Sequence, residues 1–207
     1  MRHYPLAKQG VFRTIQGEGL LLGLPMIFVR LAGCSIGCPL CDTDYAVHER
    51  LTATEIAARC SALRVPGYPR MRDMIWITGG EPTDHDLVPL IHAMLDANFA
   101  IAVATAGHKP WPKEVDAAVA HFSVSPHDPS KWVVRRARGE LKLIPGLNGF
   151  HLRDFIPDGG GKVELFGAKY VVPCDGLPET VEECREWVLT HPEWRMGVQA
   201  HKLWRLP

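Results

Sequence analysis

Pro25-Met26-Ile27-Phe28-Val29-Arg30-Leu31 runs straight into Ala32-Gly33-Cys34-Ser35-Ile36-Gly37-Cys38-Pro39-Leu40-Cys41-Asp42-Thr43. The first seven residues are apolar almost without interruption, the pattern of a short strand buried on both faces, as in a parallel sheet. The rest is a loop delivered at that strand's C-terminal end, with cysteines at the spacing C-x3-C-x2-C. Three thiolates on so short a loop can hold one metal centre and leave a ligand position open. Arg30, next to last in the strand, either snorkels to solvent or offers its planar fork to a carboxylate.

The chain on either side repeats this arrangement of strand, polar turn and helix. Thr52-Ala53-Thr54-Glu55 is a capping box with Leu51 and Ile56 as its hydrophobic staple, starting a helix to about Leu63. Met74–Thr78 is a strand closed by Gly79-Gly80-Glu81-Pro82, and Asp84 to Ala97 carries apolar residues at helical spacing. Ala100–Thr105 is a strand, Pro112–Ala118 a short helix, and His121–Ser125 a strand stopped by Pro126. Ala168–Val172 reads as a further strand, Thr180-Val181-Glu182-Glu183 as a second capping box opening a helix to about Leu189, and Arg195–Ala200 as a last strand. Strands alternating with helices, with glycines and polar residues at the strand ends, define an α/β fold with its site at the C-terminal ends of parallel strands. With 207 residues against about 250 for a complete eightfold barrel, an incomplete βα barrel fits best, as a single domain over residues 1–207.

Between about Pro129 and Lys162 the pattern lapses. Arg135-Arg136-Ala137-Arg138 reads as a solvated basic run. Gly159-Gly160-Gly161-Lys162 lacks the spacing of a phosphate loop and has Val163 where a magnesium-binding hydroxyl belongs, so it reads as a flexible loop.

Lysine plus arginine and aspartate plus glutamate both total 23, leaving no basic excess for nucleic acid. No apolar run approaches the ~20 residues of a membrane helix, and the N-terminus lacks a signal peptide's apolar core, so a cytoplasmic protein is expected. In that reducing compartment the six cysteines are thiols or metal ligands rather than disulfides, and Cys60, Cys174 and Cys184 read as buried bystanders.

The cysteine loop admits three readings. A structural zinc site needs four ligands, which His48 would complete as Cys3His, giving a zinc-stabilised binding module without catalysis. A ferredoxin-type carrier needs a fourth cysteine at defined spacing, which is missing. An iron–sulfur cluster with one open iron needs only these three. Gln16-Gly17-Glu18-Gly19, taken alone, reads as a surface turn with a solvated glutamate.

Cys34-x3-Cys38-x2-Cys41 after a first strand, with Gly79-Gly80-Glu81-Pro82 after a second, resembles the radical S-adenosylmethionine superfamily. Gln16-Gly17-Glu18-Gly19, the Arg30 strand, Cys41-Asp42-Thr43, Thr78-Gly79-Gly80-Glu81-Pro82, Ser125-Pro126 and Gln199-Ala200-His201-Lys202 together resemble its 7-carboxy-7-deazaguanine synthase family, over almost the whole chain. The resemblance implies a 4Fe-4S cluster on Cys34, Cys38 and Cys41, with S-adenosyl-L-methionine on the fourth iron as source of a 5′-deoxyadenosyl radical. It implies cofactor contacts at Leu40, Cys41, Asp42, Gly80, Glu81, Ser125, Pro126 and His127. Leu40 departs from the superfamily's usual aromatic residue, and His127 from a frequent lysine.

By the same resemblance the substrate is 6-carboxy-5,6,7,8-tetrahydropterin, contacted by Ile15, Gln16, Gly17, Glu18, Arg30, Thr78 and His201. Glu18 would read the pterin's donor edge and Arg30 its carboxylate. Mg2+ is expected on Thr43. Pro207 would bring a terminal carboxylate, ionised at neutral pH, back into the site. A reductase or flavodoxin-type electron donor and a homodimer are further expectations. The nearest enzyme rival is a glycyl-radical activase.

Overall fold

The strand Pro25–Leu31 (β2) pairs in parallel with Met74–Gly79 (β4), and the sheet grows outward from that pair. The computed structural model describes residues 2–41, 43–66, 73–134, 137–156, 163, 165–175 and 177–207. Next to β4 come Ala100–Thr105 (β5), His121–Val124 (β6), Ala137–Leu143 (β7), Phe166–Val171 (β8) and the two-residue Arg195–Met196 (β9), all parallel. On the other side of β2, His3–Ile15 (β1) runs antiparallel and in turn pairs with Glu49–Thr52 (β3). The order is β3-β1-β2-β4-β5-β6-β7-β8-β9, an open, mostly parallel sheet that does not close. This is the expected incomplete barrel, extended by two antiparallel strands.

Alternation along each strand separates two environments. Ile27, Val29, Leu31, Ile75, Ile77, Ile101, Val103, Phe122, Val124, Leu141 and Leu143 form the main core with the helices. These are Ala53–Ala62 (α1), Val88–Asp96 (α2), Lys113–Ala118 (α3), Leu152–Phe155 (α4) and Glu179–Thr190 (α5). The intervening residues Met26, Phe28, Trp76 and Ala102 make a smaller apolar cluster on the opposite face. Above it, towards the strand ends, that face turns polar. The continuous apolar appearance of β2 thus comes from two buried faces of different kinds.

The first capping box forms as expected: Thr52 accepts from the Glu55 N–H, while the Glu55 carboxylate accepts from the Thr52 N–H at 2.7 Å. The second does not. α5 begins at Glu179 after Pro178, and the Thr180 hydroxyl donates to the Leu177 carbonyl and accepts from the Cys174 N–H. Proline suits a helix start because its absent N–H is one that would go unpaired there.

β7 lies inside the stretch expected to be irregular, and β1 and β3 are likewise additions to the expected set. Arg135 and Arg136 of the basic run, and Gly159–Lys162, lie outside the described residues. Arg138 is exposed, as expected, and its guanidinium donates to the Val119 carbonyl at 3.0 Å.

Candidate active site

The polar ends of the parallel strands open into a cavity of about 580 Å³. At its floor, Phe28 and Trp76 are register partners on β2 and β4; two residues later, so are Arg30 and Thr78. Arg30 and Thr78 therefore project from the same face and line the cavity. Arg30 also donates to the Gln9 carboxamide oxygen and lies 5.0 Å over the Phe12 ring.

Cys34, Cys38 and Cys41 line the cavity beside this pair, together with Leu40 and Thr43. Glycines bring the strand ends together here. The Glu81 N–H donates to the Gly33 carbonyl at 3.0 Å, and a β-carbon on Gly80 would overlap that same oxygen. The loop is held from the other side by Asp84, whose carboxylate accepts from the Ser35 N–H at 2.7 Å and the Ser35 hydroxyl at 2.8 Å and pairs with Lys109. Burial pushes the Asp84 carboxyl up, but Lys109 and the two Ser35 donors outweigh it and hold it below the usual range.

Replacing Asp84 with alanine removes charge-assisted bonds worth about 2 kcal/mol each from the loop. The expected result is a lower iron and sulfide content per chain after anaerobic reconstitution, with D84N intermediate.

The thiols face one another closely enough that burial and the neighbouring Cys41 and Cys34 push Cys38 up to about 11. The His127 Nδ1 lies 2.9 Å from the Cys38 sulfur. Among the described residues no three His, Cys, Asp or Glu side chains converge as ligands of a single ion, and His48 turns away to Asp44 at 4.0 Å. Three thiols lining one cavity suit a 4Fe-4S cluster with one iron left open. The cavity wall also carries buried polar atoms with no hydrogen-bond partner among the described residues, Ser125 Oγ and Gln16 Nε2, which a polar ligand could satisfy.

Glu81 sits at the cavity edge, yet its carboxylate is engaged elsewhere. It accepts from the Thr83 N–H and hydroxyl, the Thr105 hydroxyl and the Ala106 N–H, at 2.6–2.9 Å. It ties the turn after β4 to the turn after β5, and Gly80 beside it lines the wall. Ser125 donates its N–H to the Thr105 carbonyl; Pro126 is buried behind it, and Asp42 lies outside the described residues.

Ile15, Gln16, Gly17 and Glu18, which leave β1 beside the start of β2, also line the cavity. The solvated surface turn expected from these residues alone is not what forms: the Glu18 side chain is 14% exposed. Its carboxylate pairs with the Lys142 ammonium, accepts from Gln199 Nε2 at 3.0 Å and lies 3.8 Å from His201 Nδ1. Burial alone would raise its pKa, but Lys142, Gln199 and His201 together bring it below the ordinary value.

The glycines are explained by close approaches. A β-carbon on Gly17 would lie 2.6 Å from that of His201, and one on Gly19, whose φ is +66°, would meet the Glu140 carboxylate. The last helix, Ala200–Leu203 (α6), docks on this loop through its Ala200 N–H to the Gly17 carbonyl. After it the chain turns back, with the Leu206 N–H on the His201 carbonyl, and Leu206 and Pro207 line the cavity. Nothing in the sequence singles out Lys142, and Gln199 enters only within the Gln199–Lys202 motif and with no role of its own, because their contacts with Glu18 span 124 and 181 positions.

An open parallel sheet with a three-cysteine loop and a Gly-Gly-Glu turn at its C-terminal edge defines a radical S-adenosylmethionine enzyme. Comparison with known proteins agrees. The chain is 30% identical over 198 residues to the 7-carboxy-7-deazaguanine synthase of Bacteroides thetaiotaomicron, covering 93% of this chain and 94% of that one. It is 28% identical over 204 residues to the enzyme of the same name from Synechocystis sp., covering 96% and 91%. The crystal structure of QueE from Escherichia coli shares the fold, with a TM-score of 0.70 at 24% identity over 96% of this chain and 95% of that one. No protein-family model matches. The chain belongs to the 7-carboxy-7-deazaguanine synthase family.

Proposed function

We propose that this cavity carries out the ring contraction of 6-carboxy-5,6,7,8-tetrahydropterin to 7-carboxy-7-deazaguanine with release of ammonia, in 7-deazapurine (queuosine) biosynthesis. The conversion removes one ammonia and otherwise rearranges the substrate's own atoms, so it is a carbon–nitrogen lyase reaction without a net oxidant. The observation that carries the reading is that two oppositely charged recognition groups line one cavity: the Glu18 carboxylate, from the segment beside the start of β2, and Arg30, with Thr78, near the strand ends.

Cys34, Cys38 and Cys41 would hold the 4Fe-4S cluster, and Gly80, Ser125, His127 and Leu40 would line the place of S-adenosyl-L-methionine. When bound, these groups supply one-electron chemistry that removes a substrate hydrogen; every other task falls to the chain. Arg30 takes the substrate carboxylate through its fork. Glu18 uses the lone pairs left by Lys142 and Gln199 to accept from the pterin's donor edge. His201 and Pro207 close the cavity beside Glu18, and Phe28 and Trp76 exclude water beneath the reacting ring. Thr43, beside Cys41, would be the protein ligand of Mg2+, which keeps most of its shell as water and substrate oxygens. A flavodoxin-type electron donor, a homodimer and a cytoplasmic location complete the reading; no helix among the described residues is long and apolar enough to cross a membrane.

The test is anaerobic reconstitution with iron and sulfide, reduction, and assay of the carboxytetrahydropterin. Cleavage of S-adenosyl-L-methionine without change in the pterin would sink the substrate assignment, and a colourless protein holding one zinc would sink the chemistry. Glu18→Gln replaces one acceptor oxygen with a donor facing donors, so its KM is expected to rise about 10- to 100-fold, as loss of a charge-assisted bond implies.

A further inference from the structure

β7 presents two charged side chains on the cavity face, Glu140 and Lys142, at the i, i+2 spacing that puts both on one side of a strand. Both reach the segment that carries Glu18. The Glu140 carboxylate is 1% exposed and accepts from the Leu20 N–H and, at 2.7 Å, from the Ser123 hydroxyl. Lys142, 12% exposed in its side chain, pairs with Glu18 itself. We propose that this pair positions the substrate-recognition carboxylate: Glu140 pins the backbone after Glu18, and Lys142 keeps Glu18 anionic and aimed into the cavity. The inference rests on the role given to Glu18 above.

The physical need is plain. A carboxylate withdrawn from water neutralises itself unless a cation offsets its lost hydration. A neutral Glu18 would present one hydroxyl donor where two acceptors are needed, and a donor facing the pterin's N–H groups repels them. Among the described residues, the groups around Glu18 include Lys142 from β7, Gln199, His201 and Lys202 from α6 and the residue before it, and Glu140 beneath the loop; Lys202 donates to Gln199 Oε1 at 3.0 Å and pairs with Asp175 at 3.2 Å. Of these, Lys142 is the cation in direct contact with the carboxylate, and His201, at 3.8 Å, assists only when protonated.

Lys142→Met, Lys142→Arg and Glu18→Gln are compared as full chains carrying reconstituted cluster. Without Lys142, burial governs Glu18 and its pKa moves up. Below that pKa the carboxyl is neutral, so the KM of K142M should fall about tenfold per pH unit as pH rises, while that of wild type should not show this dependence. K142R should restore the wild-type profile, and K142M should add nothing in an E18Q background. The kcat of K142M should change far less than its KM. In the same proteins without substrate, carbon-13 NMR of the carboxyl groups should show Glu18 ionised across neutral pH in wild type and K142R and titrating in K142M. That readout holds whatever the substrate is, so absence of pterin turnover in wild type would overturn the functional reading and leave this one to the NMR. An ionised Glu18 in K142M, or equal defects in K142R and K142M, would overturn it. If K142M fails to fold, K142Q is read by the same criteria.

Discussion

Glu81→Ala is expected to destabilise the chain by about 4 kcal/mol, because four donors, two buried and two part-buried, lose their acceptor and each such loss is worth about 1–3 kcal/mol. The Thr83 N–H and hydroxyl, the Thr105 hydroxyl and the Ala106 N–H all converge on this one carboxylate, which is 2% exposed. Equilibrium urea denaturation of wild type and variant measures the difference. Glu81→Gln is the sharper probe. It keeps the volume but turns one oxygen into an amide that donates, so either the Ala106 N–H or the Thr hydroxyls face a donor. E81Q should therefore lose roughly half the effect of E81A and not be neutral. The turns after β4 and β5 both border the cavity, so a fall in S-adenosyl-L-methionine affinity should accompany the lost stability. A Glu81 that mattered only by touching a ligand would lower affinity while leaving the denaturation midpoint unchanged.

The elements easiest to read from the sequence were those whose signals are local. Thr52 and Glu55 announce α1 through reciprocal hydrogen bonds four residues wide, and β5 is apolar from Ala100 to Ala104. β7 escaped for a physical reason. Its Leu141 and Leu143 join the core, but Glu140 and Lys142 on its other face are charged and hold the segment from Glu18 to Leu20, whereas a buried strand of a parallel sheet is expected to be apolar on both faces. β1 carries Pro5 and Gly10, both of which read as punctuation. Here Gly10 sits at φ +51° in the register shift between Leu6 and Val11, so the strand bends without ending. In the cavity, motif residues such as Cys34, Glu18 and His201 were legible through resemblance. The cation that stabilises Glu18 was not, since nothing within a few residues of Lys142 signals a partner 124 positions away.

Gly80→Ala should be the most damaging small substitution near the cysteines. The end of β4 passes so close to the start of the loop that the Gly80 N–H donates to the Leu31 carbonyl and the Glu81 N–H to the Gly33 carbonyl, at 2.9 and 3.0 Å. A methyl group on Gly80 would occupy the space of the Gly33 carbonyl oxygen and press on the Cys34 β-carbon 3.2 Å away. The obstacle is backbone, so no rotamer change relieves it, and the strands can separate only by giving up these two hydrogen bonds. Overpacking of this kind costs about 1–3 kcal/mol, and occasionally more. Part of that cost falls on the geometry of Cys34. The expected outcome is a lower melting temperature together with iron and sulfide contents well below wild type after identical reconstitution. Gly23→Ala is the matched control, because a β-carbon there has no atom within 4 Å although its φ of +87° carries the strain of a left-handed backbone. If backbone strain alone explained the Gly80 defect, G23A would melt as early as G80A; if the close approach beneath the cysteine loop explains it, only G80A should lose both stability and iron.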